Sequence, residues 1–206
     1  MSNRKYHILG SPQERYIWFR TLKCANWSTQ LYLNKHSDPQ IDGLLPYDTK
    51  WDFCFRFTFV RNPWDRLVSC WENKIGPRGR QPGAAPGLRK TLGDQKVSFR
   101  EFIKTITVPQ NLDADPHWQP CSLGFPSKDI DFIGRVENFE EDFKVVLKEI
   151  GLQGFEIPHA MKSIRGPYPS YYDAETRALV EKAYVSDIAA FGYEFEDSVE
   201  EVVKHV

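Results

Sequence analysis

Several features are scarce or missing in this chain. It has no run of about 18 consecutive apolar residues, which excludes a transmembrane helix within the sequence. Its first residues, MSNRKYHILGSPQERY, hold no apolar stretch of the kind a secretory leader needs. Together these set the expectation of a cytoplasmic protein with no stable membrane insertion. An excess of one charge sign is missing too: 27 Lys and Arg face 28 Asp and Glu, a net charge of −1. Bulk charge therefore gives no reason to expect nucleic acid as a partner. The cysteines are Cys24, Cys54, Cys70 and Cys121. They form no C-x-x-C pair and no Cys/His cluster with zinc spacing, so no metal is expected, and reduced thiols fit a cytosolic protein. No internal repeat is present, and the sequence is silent on oligomeric state.

What remains is a chain of 206 residues, 41% hydrophobic and 14% aromatic. That suffices for one sizeable core, so a single domain over 1–206 is expected. RYIWFRTL reads as a buried strand and NWSTQLYLNK as the helix after it, with Leu31 and Leu33 toward the core. SDPQIDGLLPYDTK is loop-rich, and DFCFRFTFV is a second strand, dense in aromatics. RNPWDRLVSCWENKI opens a helix with Asn62 as cap and Pro63 in the first turn. Trp64, Leu67, Val68, Trp71 and Ile75 fall on one face, with Asn62, Arg66, Ser69 and Asn73 opposite, on a polar one. SFREFIKTI, NFEEDFKVVLKEIG (capped by Asn138) and DAETRALVEKAYVSDIAAFG read as further helices, and IDFIG as a short strand. Strands alternating with helices predict an α/β fold with a central parallel sheet covered on both faces. In such sheets ligands bind beyond the carboxyl ends of the strands, where the loops 21–26 and 61–63 would lie.

The segment 76–96 is rich in Gly and Pro and long for a connector. It carries Arg78, Arg80, Arg89, Lys90 and Lys96 against Asp94. It is either a solvated mobile loop or a lid or a surface for an anionic acceptor.

Another absence bears on chemistry. Strand, loop, lysine and helix follow one another in RTLKCANWSTQ, the layout of a phosphate-binding loop. Yet no glycine stands between Arg20 and Gln30, and no Gly-Lys-Ser/Thr follows, which argues against a P-loop kinase. A loop of this kind points backbone N–H groups at its contents. Lys23 adds a positive charge, and Ser28 and Thr29 add hydroxyls, a combination suited to phosphate or sulfate; the alternative is an ordinary surface lysine. Arg61 ends the second strand, either as a structural ion-pair partner or as a second cation for a ligand with two anionic ends.

At this point the residues resemble a family. RTLKCANWST is similar to the 5′-phosphosulfate loop of sulfotransferases, and FVRNPWDRLVSCWENK to their 3′-phosphate motif. DPHWQPCSL, DFIGRVENFEEDF and YPSYYDAETRALVEKAYVSDIAAFGYEF resemble the carbohydrate branch that includes chondroitin and HNK-1 enzymes. The resemblance implies a three-layer P-loop NTPase-like fold, 3′-phosphoadenosine 5′-phosphosulfate as donor and a saccharide hydroxyl as acceptor. It puts Lys23 in the catalytic lysine's place and the loop Cys24, Ala25, Asn26, Trp27, Ser28 and Thr29 around the 5′-phosphate. Arg61 and Ser69 fall at the 3′-phosphate. Arg165, in MKSIRGPYPSYY with Lys162 and Ser163, is either a third phosphate contact or a surface residue, and Tyr168 or Tyr171 is a further lining residue. The sequence departs from the family pattern at Leu22, at Asn26 and Trp27, and at Asn62.

Sulfuryl transfer needs in-line positioning, charge stabilisation and a base for the acceptor's proton. His117, two residues after Asp115, is the first candidate base; the alternative is a structural histidine. Glu72 is the runner-up, ahead of His7, His36, His159 and His205. Trp118 stacks on a sugar or, more commonly, packs. A non-catalytic nucleotide- or glycan-binding module on the same fold is the reading from another class.

Overall fold

The computed structural model describes residues 4–76, 90, 97–158 and 165–196. The chain divides into two compact units, Met1–Val60 with Leu123–Lys162, and Arg61–Ser122 with Ser163–Val206.

The first unit is built on a five-stranded sheet in the order β3-β1-β2-β4-β5. Its strands are β1 (Lys5–Ser11), β2 (Tyr16–Phe19), β3 (Ile41–Pro46), β4 (Phe55–Val60) and β5 (Phe132–Arg135). β2, β4 and β5 are mutually parallel, but β1 pairs antiparallel with both β2 and β3. The sheet is therefore mixed, not parallel throughout. The difference comes from two strands that local pattern hides. β3 lies in a segment dense in Pro, Asp and Gly, and it forms because β1 offers it a partner over six residue pairs, Lys5↔Pro46 to Gly10↔Ile41. Pro46 is tolerated because it ends the strand.

Fully buried aromatics fill this unit. Trp18 stacks on Phe57 with centroids 6.2 Å apart, and Phe59 meets Phe143 edge-on at 6.0 Å. Such pairs add about 0.5–1.5 kcal/mol beyond burial. β5 is latched to β4 by a two-toothed ion pair: Arg56 Nε and Nη2 donate to Asp131 at 2.9 and 3.0 Å. Two helices complete the unit, α1 (Asn26–His36) and, numbered in chain order, α4 (Phe139–Glu149). On α1, Ser28, Thr29, Tyr32 and Leu33 are buried while Leu31 is exposed. A helix starting at Asn26 turns 28/29 and 32/33 inward, which leaves Leu31 outside. Asn138 makes no side-chain cap for α4; its amide donates to Asp142 at 2.8 Å instead.

The second unit is helical: α2 (Pro63–Lys74), α3 (Phe99–Ile106), α5 (Ala174–Ala183) and α6 (Val185–Phe191). Asn62 caps α2, accepting from Trp64 N and Asp65 N at 3.1 and 3.4 Å. Ser98 and Glu101 close a capping box on α3. The expected single helix from Asp173 to Gly192 is two. Tyr184, buried and with its hydroxyl donating to Trp118 O at 2.5 Å, breaks it with φ −107° and ψ 22°. Gly192, at φ 63°, supplies the left-handed residue that ends α6. Trp64, Leu67, Val68, Phe102, Ile103, Trp118 and Val180 share this unit's core.

Candidate active site

In the first unit, the loop after β2 is held at its start. Arg20 N donates to His7 O at 2.7 Å, and the Arg20 guanidinium reaches Ile8 O and Asp42. Buried Thr21 meets Thr58 hydroxyl to hydroxyl at 3.1 Å, and Thr58 donates to Phe19 O at 2.8 Å. The chain then turns twice through the left-handed region, at Lys23 (φ 71°) and Ala25 (φ 55°). Glycine normally takes such positions, and a side chain there costs about 1–2 kcal/mol. Turned with its nitrogen inward, the orientation that satisfies both of its polar atoms, the Asn26 amide donates to Thr21 O at 2.9 Å and Cys24 O at 3.1 Å.

α1 therefore starts on a residue without a capping side chain and with no acid in its first turn. Helix N-termini of this kind are favourable to anions. Ser28 and Thr29 are buried in that first turn, and among the described residues the Thr29 Oγ1 finds no hydrogen-bond partner. A buried hydroxyl in that condition costs about 1–3 kcal/mol until something bonds to it. Cys24 is fully buried, whereas the Trp27 side chain is 62% exposed.

In the second unit, Arg61 and Arg165 meet on one carboxylate. Arg61 Nε and Nη2 lie 2.8 and 2.6 Å from Asp65 Oδ2, while Arg165 takes Oδ1. All three side chains are largely buried. Burial alone would raise the Asp65 pKa, but Arg61 and then Arg165 outweigh it and hold the carboxyl below its ordinary value. Asp65 went unread as part of a site, although its four-residue spacing from Arg61 was a usable signal. Ser69 is buried on α2, not on a polar face open to solvent.

Arg66 departs further from that expected face. It is 1% exposed, and its guanidinium donates to Gln119 O at 2.6 Å and Pro116 O at 3.1 Å. It thereby holds the segment that carries His117. His117 Nδ1 lies 2.6 Å from Asp115 Oδ1, which also accepts from the His117 backbone N–H at 2.8 Å. Trp118 is core: it is fully buried and its indole donates to Asn111 O at 2.8 Å. Glu72 accepts from the Tyr171 hydroxyl at 2.7 Å, and Tyr168 is buried. His36 stacks on Phe155, and His7 lies in β1. His159, Lys162, Ser163, His205 and nearly all of the 76–96 segment lie outside the described residues.

Among the described residues, no group of three or more His, Cys, Asp or Glu could hold a metal ion. No helix there is long and apolar enough to cross a membrane.

A mixed α/β protein with an uncapped helix start behind a lysine loop, and a pair of arginines on one carboxylate, has the parts of an anion-handling enzyme. The profile of the sulfotransferase family matches residues 11–194, and the chain belongs to that family. It is 26% identical to carbohydrate sulfotransferase 14 of Danio rerio over 245 residues, covering 97% of this chain and 65% of that protein. It is 29% identical to carbohydrate sulfotransferase 11 of Rattus norvegicus over 194 residues, covering 78% and 51%. Carbohydrate sulfotransferase 14 of Homo sapiens is 25% identical over 234 residues, covering 91% and 60%. The chain thus spans about half to two thirds of the length of these relatives. No solved structure matches it significantly.

The expectation of a cytoplasmic protein does not stand. It drew on the absence of an apolar leader and span, and the chain spans only about half to two thirds of the carbohydrate sulfotransferases it matches.

Proposed function

We propose that the chain transfers a sulfuryl group from 3′-phosphoadenosine 5′-phosphosulfate to a saccharide hydroxyl, on a three-layer P-loop NTPase-like fold. The observation that carries this is the Lys23 loop: free of glycine, twice left-handed, and closing on an uncapped helix start with an unsatisfied buried threonine hydroxyl. Family membership and the names of the relatives cited above, carbohydrate sulfotransferases 11 and 14, support the reaction class and the acceptor.

The donor supplies an already activated sulfur–oxygen bond. The Lys23 ammonium neutralises charge on the oxygen that bridges sulfur and the 5′-phosphate. Backbone N–H groups from Ala25 to Ser28, with the Ser28 and Thr29 hydroxyls, hold the phosphate. Arg61, Ser69 and Arg165 take the 3′-phosphate, where guanidiniums match a phosphate better than a neutral ribose hydroxyl. His117 accepts the proton of the attacking hydroxyl. The acceptor oxygen–sulfur bond forms as the bridging bond breaks, and the leaving phosphate keeps that electron pair. Preorganised charge of this kind is where such transfers gain most of their rate.

The test is a thermal-shift and turnover pair. The desulfated product, 3′-phosphoadenosine 5′-phosphate, raises the melting temperature, and ATP with magnesium does not. Lys23→Ala retains most of that shift but loses sulfate transfer to a glycan panel. Stabilisation by ATP with magnesium alone would favour a kinase, and a wild type that binds the nucleotide without transferring to any glycan would favour a binding module.

A further inference from the structure

The segment around His117 is held more tightly than a surface turn needs. Arg66 bonds to the carbonyls of Pro116 and Gln119, which flank it. Trp118 is anchored through its indole to Asn111 O and through its carbonyl to Tyr184. Within that frame the imidazole keeps two freedoms, rotation of its ring and choice of tautomer. Asp115, itself 2% exposed, removes them: one oxygen takes both the His117 backbone N–H and Nδ1.

We propose that Asp115 is a positioning residue for proton transfer, holding His117 as the Nδ1–H tautomer and leaving Nε2 as the nitrogen that accepts the acceptor hydroxyl's proton. This rests on the reading of His117 as the base. A carboxylate beside Nδ1–H fixes the tautomer and stabilises the imidazolium that forms when Nε2 takes the proton. The proton moves from the acceptor oxygen to Nε2, the Nδ1 proton stays on the imidazole, and Asp115 remains ionised throughout. A plain turn-forming aspartate explains the bond to the backbone N–H, but it gives no reason for the same oxygen to meet the ring at 2.6 Å.

Two substitutions separate the roles. Asp115→Asn keeps an oxygen for both N–H groups, so a purely structural turn would be served equally well. Asp115→Ala removes the ring's partner altogether. Nitrogen-15 spectra of the full chain, labelled at histidine, are expected to show neutral His117 as Nδ1–H in the wild type. They are expected to show a shift toward Nε2–H in Asp115→Ala. In turnover with the glycan panel, Asp115→Asn is expected to lower kcat by about 10-fold or more, within the range general-base catalysis supplies, with KM for the donor unchanged. A wild-type Nε2–H tautomer, or an Asp115→Asn variant with full kcat, would overturn the proposal. The spectra need no turnover, so a wild type that transfers to no glycan defeats the functional reading while the tautomer result still decides this one.

Discussion

Arg165 donates to Asp65, 100 residues earlier in the chain. The bond ties the start of the 165–172 segment to the first turn of α2, on the carboxylate that Arg61 already occupies. A carboxyl whose folded pKa is lowered contributes stability above its unfolded pKa and loses it as pH falls through the folded one. Asp65 is such a group. Asp65→Asn is expected to cost about 3–5 kcal/mol at neutral pH, the usual price of breaking a buried pair. It should also flatten the loss of stability below about pH 4, where aspartates protonate. Urea denaturation at several pH values reads both effects; parallel curves for wild type and variant would rule the linkage out.

Ala25 holds a left-handed conformation at the start of α1. Glycine takes that conformation without strain, though it also loosens the unfolded chain. Ala25→Gly is therefore expected to be neutral or stabilising by up to about 1 kcal/mol, while Ala25→Val destabilises by more than that. Chemical denaturation of the pair gives the comparison. A Val variant as stable as wild type would mean that the loop is not held in this shape.

Gly134 in β5 lies against Phe59. A Cβ at that position would come within 2.7 Å of Phe59 Cδ1. Gly134→Ala should destabilise by about 1–3 kcal/mol, the range for overpacking a core. Phe59→Leu, costly by itself, should be less costly in the Gly134→Ala background. A double-mutant cycle with no coupling would contradict the contact.

Asp187, buried in α6, accepts from the backbone of Cys121 and Ser122 at 2.5 and 2.9 Å. Asp187→Ala leaves two N–H groups without their acceptor and should cost about 3 kcal/mol or more. Equilibrium unfolding measures it. A loss below about 1 kcal/mol, the scale of one neutral bond, would mean that water replaces the carboxylate freely.

Much of the frame around the candidate site was legible because its signals are local. Asn62 as a cap, Pro63 in the first turn and the Trp64–Ile75 face are set by residues within a few positions of one another, and all hold. Lys23 was visible from its place between strand and helix. What was not legible depends on distant partners. β3 exists because β1 pairs with it, Arg66 is buried because two carbonyls some 50 residues away receive it, and Arg165 finds Asp65 from across the chain. Asn26 was read as a departure from a phosphate loop. Turned with its nitrogen inward, its amide bonds to Thr21 O and Cys24 O across the turn.

The mixed sheet has a consequence for how the chain is made. β3, β1, β2 and β4 are all complete by Val60, but β5 begins at Phe132, after the whole 61–122 stretch. Closing so long an excursion costs little extra at equilibrium, about 0.6 kcal/mol for each doubling, but it slows folding. For the interval in which ribosomes have passed Val60 and not yet reached Arg135, β4 stands as an open parallel edge rich in phenylalanine. Chains arrested in that window carry the protein's greatest risk of pairing with a neighbour.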